Sequence, residues 1–116
     1  MWDIEFYETE DSRKPVQEFL DSLNMKMRAK AIKDILTLRE LGNTIREPYS
    51  KSMGGGVFEL RIKFASDITR IFYFFYVGQK IVLANGIVKK TQKTPPEELR
   101  KAHKYKADYE RRHSND

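Results

Sequence analysis

The sequence predicts a single α+β domain, and three observations carry that reading. Residues 2–7 alternate apolar and polar side chains, residues 15–42 place apolar residues at helical spacing, and residues 57–88 hold three apolar-rich runs separated by very short breaks. A chain of 116 residues hides roughly two thirds of its unfolded surface on folding, enough for one core.

In the first run Trp2, Ile4 and Phe6 fall on one side and Asp3, Glu5 and Tyr7 on the other, the pattern of a half-buried strand. The polar stretch Glu8 to Lys14 ends it. Pro15 suits a first helical turn, where its missing N–H lacks a partner in any case, so a helix is expected to begin near Ser12 or Arg13. Val16, Phe19, Leu20 and Leu23 form its apolar face. A second set, Met25, Ala29, Ile32, Ile35, Leu36 and Leu38, runs on to Gly42, completing a helical hairpin whose Lys26, Arg28, Lys30 and Lys33 read as a solvated face. Pro48 and the run Gly54-Gly55-Gly56 make residues 43–56 a loop, with the glycines allowing a tight turn.

Three strands are expected next, Val57 to Phe64, Thr69 to Val77 and Ile81 to Val88, and their short connections imply an antiparallel meander. Phe58, Leu60, Ile62 and Phe64 should pack on the helices, which leaves Glu59, Arg61 and Lys63 on a charged opposite side. The run from Ile71 to Tyr76 reads as a central strand, with Tyr73 and Tyr76 serving as packing residues. Thr94-Pro95-Pro96-Glu97 has the spacing of a capping box, opening a basic C-terminal helix along which Leu99, Ala102, Tyr105 and Tyr109 recur.

Composition narrows the function classes. Apolar residues make up 40% and charged residues 34%, a balance that favours a folded body with a thin core over disorder. The chain has no cysteine, so a disulfide framework, a thiolate zinc site and a cysteine nucleophile are all excluded. Met1-Trp2-Asp3-Ile4-Glu5 does not read as a targeting leader, and no apolar run approaches the ~20 residues of a membrane span, so a cytoplasmic protein without membrane contact is expected.

The net charge of +5 makes polyanions plausible partners, and its distribution sharpens the point. Residues 1–45 carry seven Lys/Arg against nine Asp/Glu, whereas residues 46–116 carry 15 against eight. Between residues 57 and 94 stand Arg61, Lys63, Arg70, Lys80, Lys89, Lys90 and Lys93, with only Glu59 and Asp67 to offset them. Clustered like charges cost energy, and a cluster with few internal acids is suited to an external anion such as phosphate.

Tyr49-Ser50-Lys51, then Phe58-Glu59-Leu60-Arg61, Arg70-Ile71-Phe72-Tyr73 and Val88-Lys89-Lys90-Thr91-Gln92-Lys93-Thr94-Pro95 resemble, in this order, the phage-related HigB branch of the RelE/ParE toxins. The resemblance covers nearly the whole chain, and its most specific part is the Lys-Lys-Thr-Gln-Lys-Thr-Pro segment before the last helix. It implies a RelE-like fold of about four antiparallel strands, with two N-terminal helices on one face and a C-terminal helix. It also implies a toxin of a type II toxin-antitoxin system that cuts mRNA in the ribosomal decoding site, using arginines and lysines instead of a metal or cofactor. The implied partners are the ribosome with its mRNA and a helix-turn-helix, HigA-like antitoxin.

By position, the resemblance assigns Arg61 and Arg70 to the phosphoryl oxygens, since a guanidinium fork grips two at once and one well-placed donor is worth about 3 kcal/mol. Lys89 or Lys90 is the expected proton carrier, its ammonium made more acidic by neighbouring cations. Glu59 is either a second base or the group that orients Arg61. Lys51, Lys63 and Lys93 are expected to hold the RNA backbone. His103 and His113 read as surface residues, and Asn85 stands where some relatives place a histidine, which counts against a histidine mechanism. Two other functions fit the same residues: inhibition of DNA gyrase by a ParE-like toxin, and RNA binding without catalysis.

Overall fold

The computed structural model describes residues 1–89 and 93–114. The elements run β1 (Asp3–Phe6), α1 (Pro15–Ser22), α2 (Met25–Leu41), a 3-10 turn at Gly42–Thr44, β2 (Ser50–Gly54), β3 (Val57–Phe64), β4 (Asp67–Tyr76), β5 (Lys80–Lys89) and α3 (Pro96–Arg112). Among these residues no helix is long and apolar enough to cross a membrane.

The α+β class and the β3-β4-β5 meander follow the expectation, but the sheet differs in two ways. It has five strands in the order β1-β5-β4-β3-β2, and β1 pairs parallel to β5, with Ile4 opposite Ile81 and Phe6 opposite Leu83. The sheet is therefore mixed. Alternation reveals a strand and its faces but carries no information about direction, and here the chain crosses the helices and three strands before returning beside β1. The extra strand, β2, lies inside the expected loop. Its Ser50-Lys51-Ser52-Met53-Gly54 is polar because it is an edge strand, and it pairs antiparallel to β3 with Lys51 opposite Glu59.

Two cores flank the sheet. On one face α1 and α2 set Val16, Leu20, Met27, Ala31, Ile35 and Leu38 against Leu60, Ile62, Ile71 and Tyr73, joined at the rim by Trp2, Ile4 and Phe6. On the other face α3 sets Ala102 and Tyr109 against Val57, Phe72, Phe74, Val82 and Ala84, together with Tyr7. The face expected to stay wet and charged is thus largely covered. This explains β4, in which every residue from Ile71 to Phe74 is fully buried: a strand sandwiched between helices needs apolar side chains on both sides.

Helix starts also depart from the expectation. α1 begins at Pro15, with Lys14 in the N-cap position and no side-chain cap. α3 takes Pro95 as its N-cap, again without a side-chain cap, because the Thr94 hydroxyl is turned away toward the sheet. α2 is capped as helix physics favours, with the Asn24 side chain accepting from the Met27 N–H at 2.9 Å. Between β2 and β3 the glycine run takes positive φ at all three positions, and a side chain on Gly55 would meet the His103 ring at 2.8 Å. Left-handed backbone and the close approach of α3 together require glycine there.

Candidate active site

Register converts the sequence spacing into a cluster. In β3, Glu59 and Arg61 are two residues apart and share the α3 face; Arg70 of β4 lies directly opposite Arg61, and Lys51 of β2 directly opposite Glu59. Two guanidinium groups paired across strands repel. Glu59 relieves that repulsion: its Oε2 accepts from Arg70 Nη1 at 3.1 Å, and its Oε1 lies 3.7 Å from Arg61 Nε. Glu59 and Arg70 have side chains only 2% exposed, so their charges compensate each other out of contact with water.

Thr94 completes this network. Its hydroxyl accepts from Arg70 Nη1 at 2.8 Å and donates to Glu59 Oε2 at 2.6 Å, tying the segment before α3 to the floor of the sheet. In the sequence, Thr94 had looked like a helix cap. Its position in the Lys-Thr-Pro ending was the available signal, but the direction of a hydroxyl beside a proline depends on what lies below it.

Above the network opens a cleft of about 550 Å³ lined by Lys51, Met53, Glu59, Arg61, Arg70, Lys93, Thr94, Pro96 and Leu99. Four cations against one carboxylate leave three positive charges in this lining, an electrostatic trap for a polyanion. Arg61, with 17% of its side chain exposed, reaches the cleft from the sheet, while Lys51 and Lys93 stand exposed at its rim. The apolar walls of Met53, Pro96 and Leu99 lower the local dielectric, which strengthens any contact to an anion held there.

The expected site residues divide accordingly. Lys51, Glu59, Arg61, Arg70 and Lys93 are brought together. Arg70 sits deep and is engaged by Glu59 and Thr94, an arrangement suited to supporting Arg61 rather than to meeting a substrate directly. Glu59, accepting from two donors and buried, is placed to orient the arginines. Lys63 is exposed on the same face but outside the cleft lining, one cross-strand row further on, opposite Ile68. The backbone of Lys89 ends β5 beside Ile68; its side chain and all of Lys90 lie outside the described residues.

Asn85 is buried away from the cleft, its amide donating to the Glu98 carbonyl at 3.1 Å and to the Glu98 carboxylate at 3.2 Å. The two histidines serve α3. His103 packs under the glycine turn, and His113 stacks on Tyr109 at 3.9 Å while its carbonyl accepts from the Tyr76 hydroxyl. A separate polar network holds the start of the chain to that helix: the Tyr7 hydroxyl donates to Asp108 at 2.6 Å, with the Arg112 guanidinium 5.5 Å over the Tyr7 ring. Burial, reinforced by Asp108, pushes the Tyr7 hydroxyl up to about 12, while the Tyr7 hydrogen bond holds the Asp108 carboxyl below its usual range.

No curated protein matches the chain at a significant level. The sequence model of the family described as phage-derived protein Gp49-like (DUF891) matches residues 18–107, a span from α1 to α3 that includes every cleft residue. The chain therefore belongs to the Gp49-like family, a RelE-like family associated with toxin-antitoxin systems.

Proposed function

We propose that the protein is the toxin of a type II toxin-antitoxin system and acts as a metal-independent, ribosome-dependent mRNA endoribonuclease. The observation that carries this reading is the cleft in which Lys51, Arg61 and Lys93 surround a floor of buried Glu59 and Arg70 tied to half-buried Thr94. In the proposed reaction the ribose 2′-OH attacks the adjacent phosphorus, the bond to the 5′ oxygen breaks, and a cyclic phosphate and a free 5′-OH result. Negative charge builds on the non-bridging and departing oxygens. Arg61, held by Glu59, donates to the non-bridging oxygens, and a fixed donor gains most where charge appears only in the transition state.

Lys51 and Lys93 hold the flanking phosphates in register, which supplies positioning. Proton transfer falls to Lys89 or Lys90, and Lys63 extends the cationic row along the RNA. Arg70 acts through Arg61 and the floor network. A helix-turn-helix antitoxin is the proposed silencing partner, and the ribosome presents the mRNA.

The burial of Arg70 favours a second reading, because it leaves the cleft fewer cations to offer a transition state: a ParE-like toxin that binds DNA gyrase and cuts nothing. Mapping 5′ ends of translated mRNA after brief induction, beside a gyrase supercoiling assay on purified protein, separates the two. New ends with supercoiling unaffected support the nuclease; inhibited supercoiling with no new ends overturns it.

A further inference from the structure

α2 carries more apolar surface than the core uses. Its buried residues, Met27, Ala31, Ile35 and Leu38, form one stripe against the sheet. A second stripe, Met25, Ala29, Ile32 and Leu36, recurs at intervals of four, three and four residues on the side facing solvent, where Met25 is 81% exposed, Ile32 44% and Leu36 46%. Single exposed apolar residues are ordinary, but a straight row along three turns of one helix is the pattern that seats another helix.

The flanks of the row identify the occupant. Lys26 and Lys33 run along one side and Arg39 along the other, with Glu40 the nearby acid at the C-terminal end. Of the remaining α2 charges, Lys30 pairs with Asp34 at 2.7 Å, and Arg28 spends its guanidinium on the carbonyls of Leu20, Asp21 and Leu23. Among the described residues no ion pair or side-chain hydrogen bond engages Lys26 or Lys33, which leaves both for an outside partner. We infer that the outer stripe of α2 docks an acidic amphipathic helix from another protein, with apolar side chains along Met25, Ile32 and Leu36 and carboxylates on Lys26, Lys33 and Arg39.

Alternative occupants fit less well. Two copies of this face would set a mainly cationic rim against itself, which repels. A membrane surface calls for bulky aromatic anchors, and the row has none. The stripe lies on the sheet face opposite the cleft, so the inference does not depend on the nuclease reading.

The test uses the full chain and a fluorescent 18-residue peptide with leucines at helical spacing and glutamates elsewhere, beside a scrambled peptide of equal composition. Anisotropy should show saturable binding of the amphipathic peptide only. Ile32→Glu/Leu36→Glu should weaken it by at least about tenfold, and Lys26→Glu/Lys33→Glu by several-fold with a flatter salt dependence. Unchanged melting temperatures establish that the variants fold, and Ile32→Ala/Leu36→Ala serves if the charged pair does not. The inference is overturned by no saturable binding by the unmodified chain, by binding indifferent to Ile32 and Leu36, or by a dimer in sedimentation that those substitutions dissolve. Binding to phosphatidylserine vesicles in place of the peptide also overturns it.

Discussion

Glu59 is the residue on which the cleft's floor depends. Buried and bonded to Arg70 and Thr94, it neutralises a guanidinium that has no access to water, and removing it leaves that charge uncompensated. Glu59→Ala should therefore lower unfolding free energy by about 3 to 5 kcal/mol, and adding Arg70→Met should recover a large part of the loss, both read from urea denaturation. Arg61 has the opposite profile. Partly exposed at the cleft, it should contribute little to folding and much to turnover, so Arg61→Ala should cut RNA cleavage by about 100-fold or more while the melting temperature stays nearly constant.

A pH dependence follows from Tyr7 and Asp108. The Asp108 carboxyl is held below its unfolded value by the Tyr7 hydrogen bond, so its stabilising effect is complete above about pH 4 and is lost as pH falls through the lower folded value. Tyr7 is raised, chiefly by burial, to about 12, so its effect is complete below the ordinary tyrosine value and is lost as pH climbs toward 12. Tyr7→Phe should flatten both limbs of a melting-temperature profile, and an unchanged profile in that variant would contradict the assignment.

At the scale of elements, α2 separates what periodicity can and cannot tell. Helical spacing located the helix from Met25 to Gly42, but it merged two stripes into one apolar set, since position along a helix does not say which side meets the sheet. The structure ranks them: Leu38 is fully buried, and Leu36 is nearly half exposed. Leu38→Ala should cost about 2 to 5 kcal/mol and Leu36→Ala no more than about 0.5 kcal/mol, a contrast that thermal unfolding resolves. β2 was hidden for a related reason. An edge strand with a serine-lysine-serine core carries no apolar alternation, and the triple glycine beside it reads as loop whether or not a strand precedes it. β1 was visible as a strand, with its two faces assigned as observed, while its parallel partner depended on contacts more than 70 residues away in sequence.

For the whole molecule, the charge imbalance in the second half of the sequence lies on β3, β4 and the segment before α3, where Arg61, Arg70 and Lys93 line one cleft. Less legible was the role of α3. A helix rich in charged residues also buries Ala102 and Tyr109, so the sheet face it covers becomes a core with a cleft at one end instead of an open cationic plane. That covering sorts the arginines, sinking Arg70 onto Glu59 and leaving Arg61 at the opening. Thr94 could not be placed from its neighbours, because its partner Glu59 is 35 positions away in the chain.

The most direct test is a reconstituted translation reaction programmed with one defined mRNA, in which 5′ ends are mapped after adding the protein or its Arg61→Ala variant. New ends should appear inside translated codons with the unmodified chain and fall by about 100-fold with Arg61→Ala, although both proteins melt at the same temperature. Equal cleavage by the two proteins, or no cleavage by either, would contradict the nuclease reading.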